Sequence, residues 1–274
     1  MQSIDAPIGI FDSGIGGLTV TKEIMTQLPD ENIIYFGDTA RVPYGSKSKD
    51  TIIKYSKQII RFLKTKDVKA IVIACNTASA FALEEIKKEL NIPIIGVVQP
   101  GAKVAADSSK NGKIGIIGTE GTIVSKIYSR FIEDINPNLK VIGKACPLFV
   151  PLVEEGFFLD DPITEEIASR YLTGLRDEDI DTLILGCTHY PLIRNTIQSV
   201  MGEGVTLVNP AHETARELKE LLAEEGIKNS TNDKELNQKH QFYVSDAADR
   251  FKQFASNILS YDIEEITQIN IEEY

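Results

Sequence analysis

The sequence predicts an α/β protein of two similar doubly wound, Rossmann/flavodoxin-like parallel-sheet lobes, with the functional site in the cleft between them. Three observations carry this: apolar β-branched runs alternate with amphipathic ones, the pattern repeats internally, and two strands end on the same proline junction. The runs IGIF (8–11), NIIYFG (32–37), AIVIAC (70–75), PIIGVV (93–98), KIGIIG (113–118), TLILGC (182–187) and VTLVN (205–209) read as buried parallel strands. Between them, Ile52, Ile53, Ile59, Ile60 and Leu63, and then Ile123, Ile127, Phe131 and Ile135, recur at helical steps and each set predicts one apolar helix face.

The repeat pairs Ile8-Gly9-Ile10-Phe11 with Ile114-Gly115-Ile116-Ile117 at an offset of 106, each run leading into a polar, glycine-containing turn. Ile71-Val72-Ile73-Ala74-Cys75 likewise pairs with Leu183-Ile184-Leu185-Gly186-Cys187 at an offset of 112. Val97-Val98-Gln99-Pro100 and Leu207-Val208-Asn209-Pro210 both end a strand on an amide residue and a proline. Proline disfavours helix in the residue before it and suits the first turn of the helix after it. These junctions predict two adjacent crossovers and a discontinuous first lobe, residues 1–98 plus 210–274, with 99–209 inserted as the second lobe. The polar tract NSTNDKELNQKHQ (229–241) reads as a surface loop.

A chain of 274 residues suits one or two α/β units, and 42% hydrophobic with 25% charged residues is the composition of a folded, soluble protein. No apolar run reaches membrane-spanning length. The N-terminal MQSIDAPIGIFDSG lacks the features of a secretory leader, so a cytoplasmic location is expected. Three cysteines without a CxxC pair argue for free thiols over a disulfide framework or zinc knuckle. A formal charge of −11 disfavours nucleic acid and acidic membrane surfaces as partners. An anionic substrate would have to be held by local donors such as helix N-termini.

Ligands of open α/β sheets bind where strands turn into helices at their carboxyl ends. Cys75, before Asn76-Thr77-Ala78-Ser79, and Cys187, before Thr188-His189-Tyr190-Pro191, both occupy that position. A helix predicted to follow each of them lowers the thiol pKa, giving usable thiolate near neutrality. A single cysteine at a strand end is as readily a small core residue. Two at equivalent ends of two lobes, each followed by polar residues, point to paired acid and base chemistry. Cys146 in KACPLFVP has no such setting and is expected to pack. A Cys₂His zinc set of Cys75, Cys187 and His189 is the metal alternative, against which stand the unusual Cys-x-His spacing and the lack of a further ligand. Ser13 lacks the G-x-S-x-G pattern of a hydrolase nucleophile. The glycines of Asp12-Ser13-Gly14-Ile15-Gly16-Gly17 miss the dinucleotide fingerprint, because Thr19 stands where its third glycine belongs. They read instead as a tight turn presenting backbone N–H groups to an anion.

GIFDSGIGGLTV (9–20), YFGDTARVPYG (35–45), ACNTASA (74–80), GVVQPGA (96–102), PLFVPLVEEG (147–156) and GCTHYPL (186–192) occur in an order and form that resemble the glutamate racemases of the aspartate/glutamate racemase family, over nearly the whole chain. The resemblance implies a cofactor-independent isomerase with no metal, which supplies D-glutamate for peptidoglycan. It implies that Cys75 and Cys187 are the two catalytic bases. Asp12, Glu154 and His189 are implied as the ionisable groups that tune them, with Glu155 beside Glu154 as an alternative. Asp12, Ser13, Tyr44, Gly45, Asn76, Thr77, Thr188 and His189 are implied as the substrate cradle. One thiolate would take the α-proton while the opposing thiol delivers another to the other face. Aspartate racemase is the rival within the class, differing by one methylene in the substrate. A two-lobed amino-acid binding protein is the rival outside it, with no need of reactive thiols. Glutamate is the expected small-molecule partner; a homodimer is left open.

Overall fold

The computed structural model describes residues 3–158, 161–229, 240–259 and 263–274. Six parallel strands form one sheet: β1 (Ile8–Asp12), β2 (Ile33–Gly37), β3 (Ala70–Ile73), β4 (Ile94–Gly96), β9 (Gln241–Val244) and β10 (Ile266–Gln268), in the order β10-β9-β2-β1-β3-β4. Four parallel strands form the other: β5 (Lys113–Gly118), β6 (Lys140–Ala145), β7 (Thr182–Gly186) and β8 (Thr206–Val208), in the order β6-β5-β7-β8. The run β2-β1-β3-β4 of the first sheet has the connectivity of β6-β5-β7-β8 in the second, so the internal repeat is a repeat of topology. β1, β2, β3, β5 and β7 are apolar and almost wholly buried, as strands covered on both faces must be.

Three strands were not predicted, although one of them, β9, carries the buried apolar run Phe242-Tyr243-Val244. In β6 the lysines at both ends of Lys140–Ala145 leave much of the strand exposed at the sheet edge. The short β9 and β10 close one edge of the other, six-stranded sheet. Between the strands run α1 (Leu18–Gln27), α2 (Lys49–Lys64), α3 (Asn76–Lys87), α4 (Val98–Ser108), α5 (Glu120–Ser125), α6 (Ile127–Ile135), α7 (Phe149–Glu154), α8 (Pro162–Asp177), α9 (Arg194–Met201), α10 (Pro210–Glu224) and α11 (Ala248–Ile258). Within the tract expected as a surface loop, residues 230–239 lie outside the described residues.

The expected continuous helix over Ile123–Ile135 is instead two. Lys126 takes a left-handed conformation, with φ of 53°, and Ser125 Oγ accepts from the Ile127 N–H. The break follows the packing, because α5 lies against α3 and the 3-10 turn Tyr44–Ser46, whereas α6 lies against α4.

The two chain passages between the sheets lie side by side. α4 and α10 pack on each other, and Asn209 caps α10 by accepting from the Ala211 N–H at 3.1 Å. A Cβ added to Gly101 would stand 2.9 Å from Pro210 Cγ, so only glycine lets the crossovers approach this closely. One apolar cluster continues from the first sheet, through Ile8, Val72 and Ala74, to Leu185 and Phe149 of the second lobe. No helix among the described residues is long and apolar enough to cross a membrane.

Candidate active site

In each sheet the strand order reverses beside the first strand, between β1 and β3 and between β5 and β7, which opens a crevice at their carboxyl ends. Asp12, Ser13 and Gly14 follow β1, and Cys75, Asn76 and Thr77 follow β3. Thr119 follows β5, and Cys187, Thr188 and His189 follow β7. The two crevices share one cavity of about 370 Å³. Ser13, Tyr44, Gly45, Cys75, Asn76, Thr77, Glu154, Cys187, Thr188 and His189 all line it. Val42, Pro43, Pro147, Val150 and Pro151 form an apolar wall.

Asp12 is the exception among the expected cradle residues. It does not line the cavity but lies sealed beside it, at 0% exposure, with Oδ2 accepting from the Gly14 N–H at 3.0 Å and Oδ1 without a hydrogen-bond partner among the described residues. Burial pushes its carboxyl pKa up, against the opposing charge of His189. Its charge reaches Cys75, and its bond to Gly14 pins the loop after β1.

Cys75 caps α3, its Sγ accepting from the Ala78 N–H at 3.4 Å. The expected lowering of its pKa does not follow. Burial, and then the negative charge of Asp12, push the thiol up to about 12, beyond what the Ser13 and Ala78 donors recover. Cys75 therefore rests as a thiol. Cys187 is not followed directly by a helix, because a 3-10 turn over Tyr190–Ile193 intervenes before α9. Its neighbour is a side chain instead: His189 Nδ1 lies 3.7 Å from Cys187 Sγ, while Nε2 lies 3.0 Å from Glu154 Oε1. Burial alone would push the imidazole pKa down, but hydrogen bonds and charge from Cys187 and Glu154 outweigh it and push it up to about 10. Hydrogen bonds from both sides thus favour the protonated ring beside the Cys187 sulfur. Burial opposes ionisation of Glu154, yet His189 and Arg250 hold its carboxyl below the ordinary glutamate value. Of the two adjacent glutamates, Glu154 faces the cavity and Glu155 pairs with Arg250 at 2.9 Å.

The segment carrying Val42, Pro43, Tyr44 and Gly45 is held from behind. Buried Asp38 accepts from Arg41 Nε at 2.8 Å, from the Tyr44 hydroxyl and from Ser245 Oγ at 2.9 Å. Arg41 also reaches Gln58 at 2.6 Å and Glu272 at 3.1 Å. The Tyr44 hydroxyl is thereby spent on Asp38. Asp38→Ala should cost about 1–3 kcal/mol, because it leaves Arg41 Nε and the buried Tyr44 hydroxyl without their acceptor while Arg41 keeps Glu272. Urea unfolding measures this, and a loss below about 1 kcal/mol would show that water replaces the carboxylate.

Residues that sequence reasoning missed bind the lobes together. Thr77 Oγ1 lies 2.8 Å from Thr119 Oγ1 and 3.2 Å from Thr122 Oγ1. The Tyr128 hydroxyl donates to Asn76 Oδ1 at 2.6 Å, and Thr19 Oγ1 donates to the Thr188 carbonyl at 2.9 Å. The repeat did mark Thr119, which follows β5 as Ser13 follows β1. Nothing in the sequence marked Tyr128. Cys146 packs in the core, where its carbonyl accepts from the Tyr190 hydroxyl at 2.8 Å. Among the described residues no group of three or more His, Cys, Asp or Glu side chains is placed to hold a metal ion.

Two parallel-sheet lobes, each delivering one buried cysteine to a shared cavity, give the fold and site of an α/β enzyme with two facing lobes. The Asp/Glu/Hydantoin racemase family model matches residues 8–218. A glutamate racemase of Geobacter metallireducens is 48% identical over 265 residues, 97% of either chain. The crystal structure of a Bacillus anthracis glutamate racemase isoform is 42% identical, with 96% of this chain and 97% of that one covered and a TM-score of 0.92. That of the Francisella tularensis glutamate racemase in complex with D-glutamate is 40% identical, with 99% and 100% covered and a TM-score of 0.91. The chain belongs to the Asp/Glu/hydantoin racemase family, and within it to the glutamate racemases.

Proposed function

We propose that the chain interconverts L- and D-glutamate by proton transfer between two thiols and the substrate α-carbon, with Cys75 and Cys187 as the alternating base and acid. The observation that carries this reading is the entry of both cysteines into one cavity from the equivalent strand ends of two lobes. A symmetric chemical problem, removal of hydrogen from one face and delivery to the other, is thereby met by a repeated structural unit. In the forward step a thiolate takes the α-proton and becomes a thiol. The resulting carbanion takes a proton from the opposing thiol, which becomes the thiolate, so charge and protons balance over one turnover.

Local donors suit the substrate despite the chain's overall negative charge. The Ser13, Thr77 and Thr188 hydroxyls and the Asn76 amide line the cavity and can bind carboxylates without neutralising the thiols. His189, with Glu154 behind it, can stabilise negative charge on Cys187, and Asp12 opposes it on Cys75. The two sulfurs thus start in different electrostatic settings. We take the lobes as residues 1–98 plus 210–274 and 99–209; the membership of the two sheets supports these limits. The product would supply peptidoglycan synthesis in the cytoplasm, where free thiols stay reduced.

The direct test is loss of optical rotation from L-glutamate with purified protein and no added cofactor. Retention of rotation would refute the reading. Because the steps above use only side chains of this chain, dialysis against a chelator should leave the rate unchanged. Activity lost on chelation and regained with zinc would favour the Cys75, Cys187 and His189 metal set.

A further inference from the structure

Asn76 lines the cavity, yet an amide presents either a donor or an acceptor, and the two ends are nearly the same shape. Which end meets the substrate decides whether a carboxylate is attracted or repelled. We propose that Tyr128, from the second lobe, is a positioning residue that holds the Asn76 amide with its NH₂ toward the substrate carboxylate. This rests on the substrate site proposed above.

The Tyr128 hydroxyl donates to Asn76 Oδ1 at 2.6 Å, and among the described residues it has no other hydrogen-bond partner. A buried phenol needs an acceptor for its proton. Were the amide reversed, the phenol oxygen would receive an N–H and its own proton would have nowhere to go. Burial, and then the charge of Cys187, hold the phenol above its ordinary pKa, so it remains a donor. With Oδ1 engaged, the NH₂ is free. Asn76 Nδ2 makes no hydrogen bond among the described residues, and it is not one of the sealed polar atoms left without a partner. It therefore opens on the cavity, with up to two protons available to a carboxylate.

The ring is placed for this task by small neighbours. A Cβ added to Gly101 or to Gly186 would stand 3.5 Å from a Tyr128 ring carbon, so the ring lies between α4 and the end of β7, one residue before Cys187. Tyr128 enters from α6, which the break at Lys126 directs against α4 rather than along the line of α5. Because Asn76 belongs to the first lobe and Tyr128 to the second, the amide is held only while the lobes are closed on each other.

The test is a double-mutant cycle read as kcat and KM for both enantiomers of glutamate, with the melting temperature followed in parallel. Tyr128→Phe removes one oxygen atom and keeps the ring. It should raise KM about tenfold, the worth of one charge-assisted hydrogen bond, and leave kcat within about threefold. Asn76→Ala should raise KM by at least as much. In the Asn76→Ala background, Tyr128→Phe should then add nothing, because its only route to the substrate is gone. Ile132→Val on the same helix serves as the packing control, expected to lower the melting temperature without moving KM. Should Tyr128→Phe multiply the Asn76→Ala defect by its full factor, or should Ile132→Val raise KM as Tyr128→Phe does, the positioning role is overturned while the substrate site stands. An unchanged KM in Asn76→Ala would overturn the positioning role together with the placement of Asn76 in the cradle.

Discussion

Alanine in place of Cys75 or of Cys187 should each reduce racemisation by about 10⁴-fold, the upper range for a positioned acid or base, and in both directions of reaction. Each thiol serves as the base in one direction and as the acid in the other, so neither variant can retain a one-way activity. The two losses should not multiply in the double variant, since either one already breaks the relay. Cys146→Ala is the control, because that side chain is equally buried but packs in the core with no access to the cavity. It should cost some stability and leave turnover nearly intact. Wild-type turnover in either Cys75→Ala or Cys187→Ala would remove that residue from the mechanism.

Much of this architecture was legible in the sequence, because buried parallel strands are written as apolar β-branched runs and the repeat aligned β1 with β5 and β3 with β7. The edge strands were not legible. Half exposed, β6 carries lysines where a central strand carries isoleucine, and its pattern resembles a loop. The helix expected over Ile123–Ile135 failed for a different reason. Its apolar spacing continues unbroken through Lys126, and the left-handed residue there answers to packing partners distant in sequence.

The site divides in the same way. Residues adjoining strand ends, such as Cys75, Asn76, Cys187 and His189, could be placed from local sequence because topology brings strand ends together. The electrostatics could not be so placed. A helix N-terminus beside Cys75 predicts an acidified thiol, but burial and Asp12 act the other way and dominate. The partner of His189 comes from α7, 35 residues earlier in the chain, and the partner of Asn76 lies 52 residues away on α6. Contacts of that separation leave no trace in local spacing.

The central claim is that each lobe contributes one base, and it is tested most directly by where hydrogen goes during turnover in deuterated water. A thiol carries a single proton. The sulfur that abstracts the α-hydrogen holds that same hydrogen, while the opposing thiol, equilibrated with solvent beforehand, holds deuterium. Forward collapse of the carbanion must therefore yield product labelled at the α-carbon. Backward collapse returns the original hydrogen, provided the buried S–H exchanges more slowly than the carbanion is reprotonated. Starting separately from L- and from D-glutamate, both enantiomers are measured at low conversion by mass spectrometry after chiral separation. The account predicts product almost fully deuterated and recovered substrate almost unlabelled, in both directions. Equal early labelling of the two enantiomers would contradict it, as the mark of one exchanging base that serves both faces.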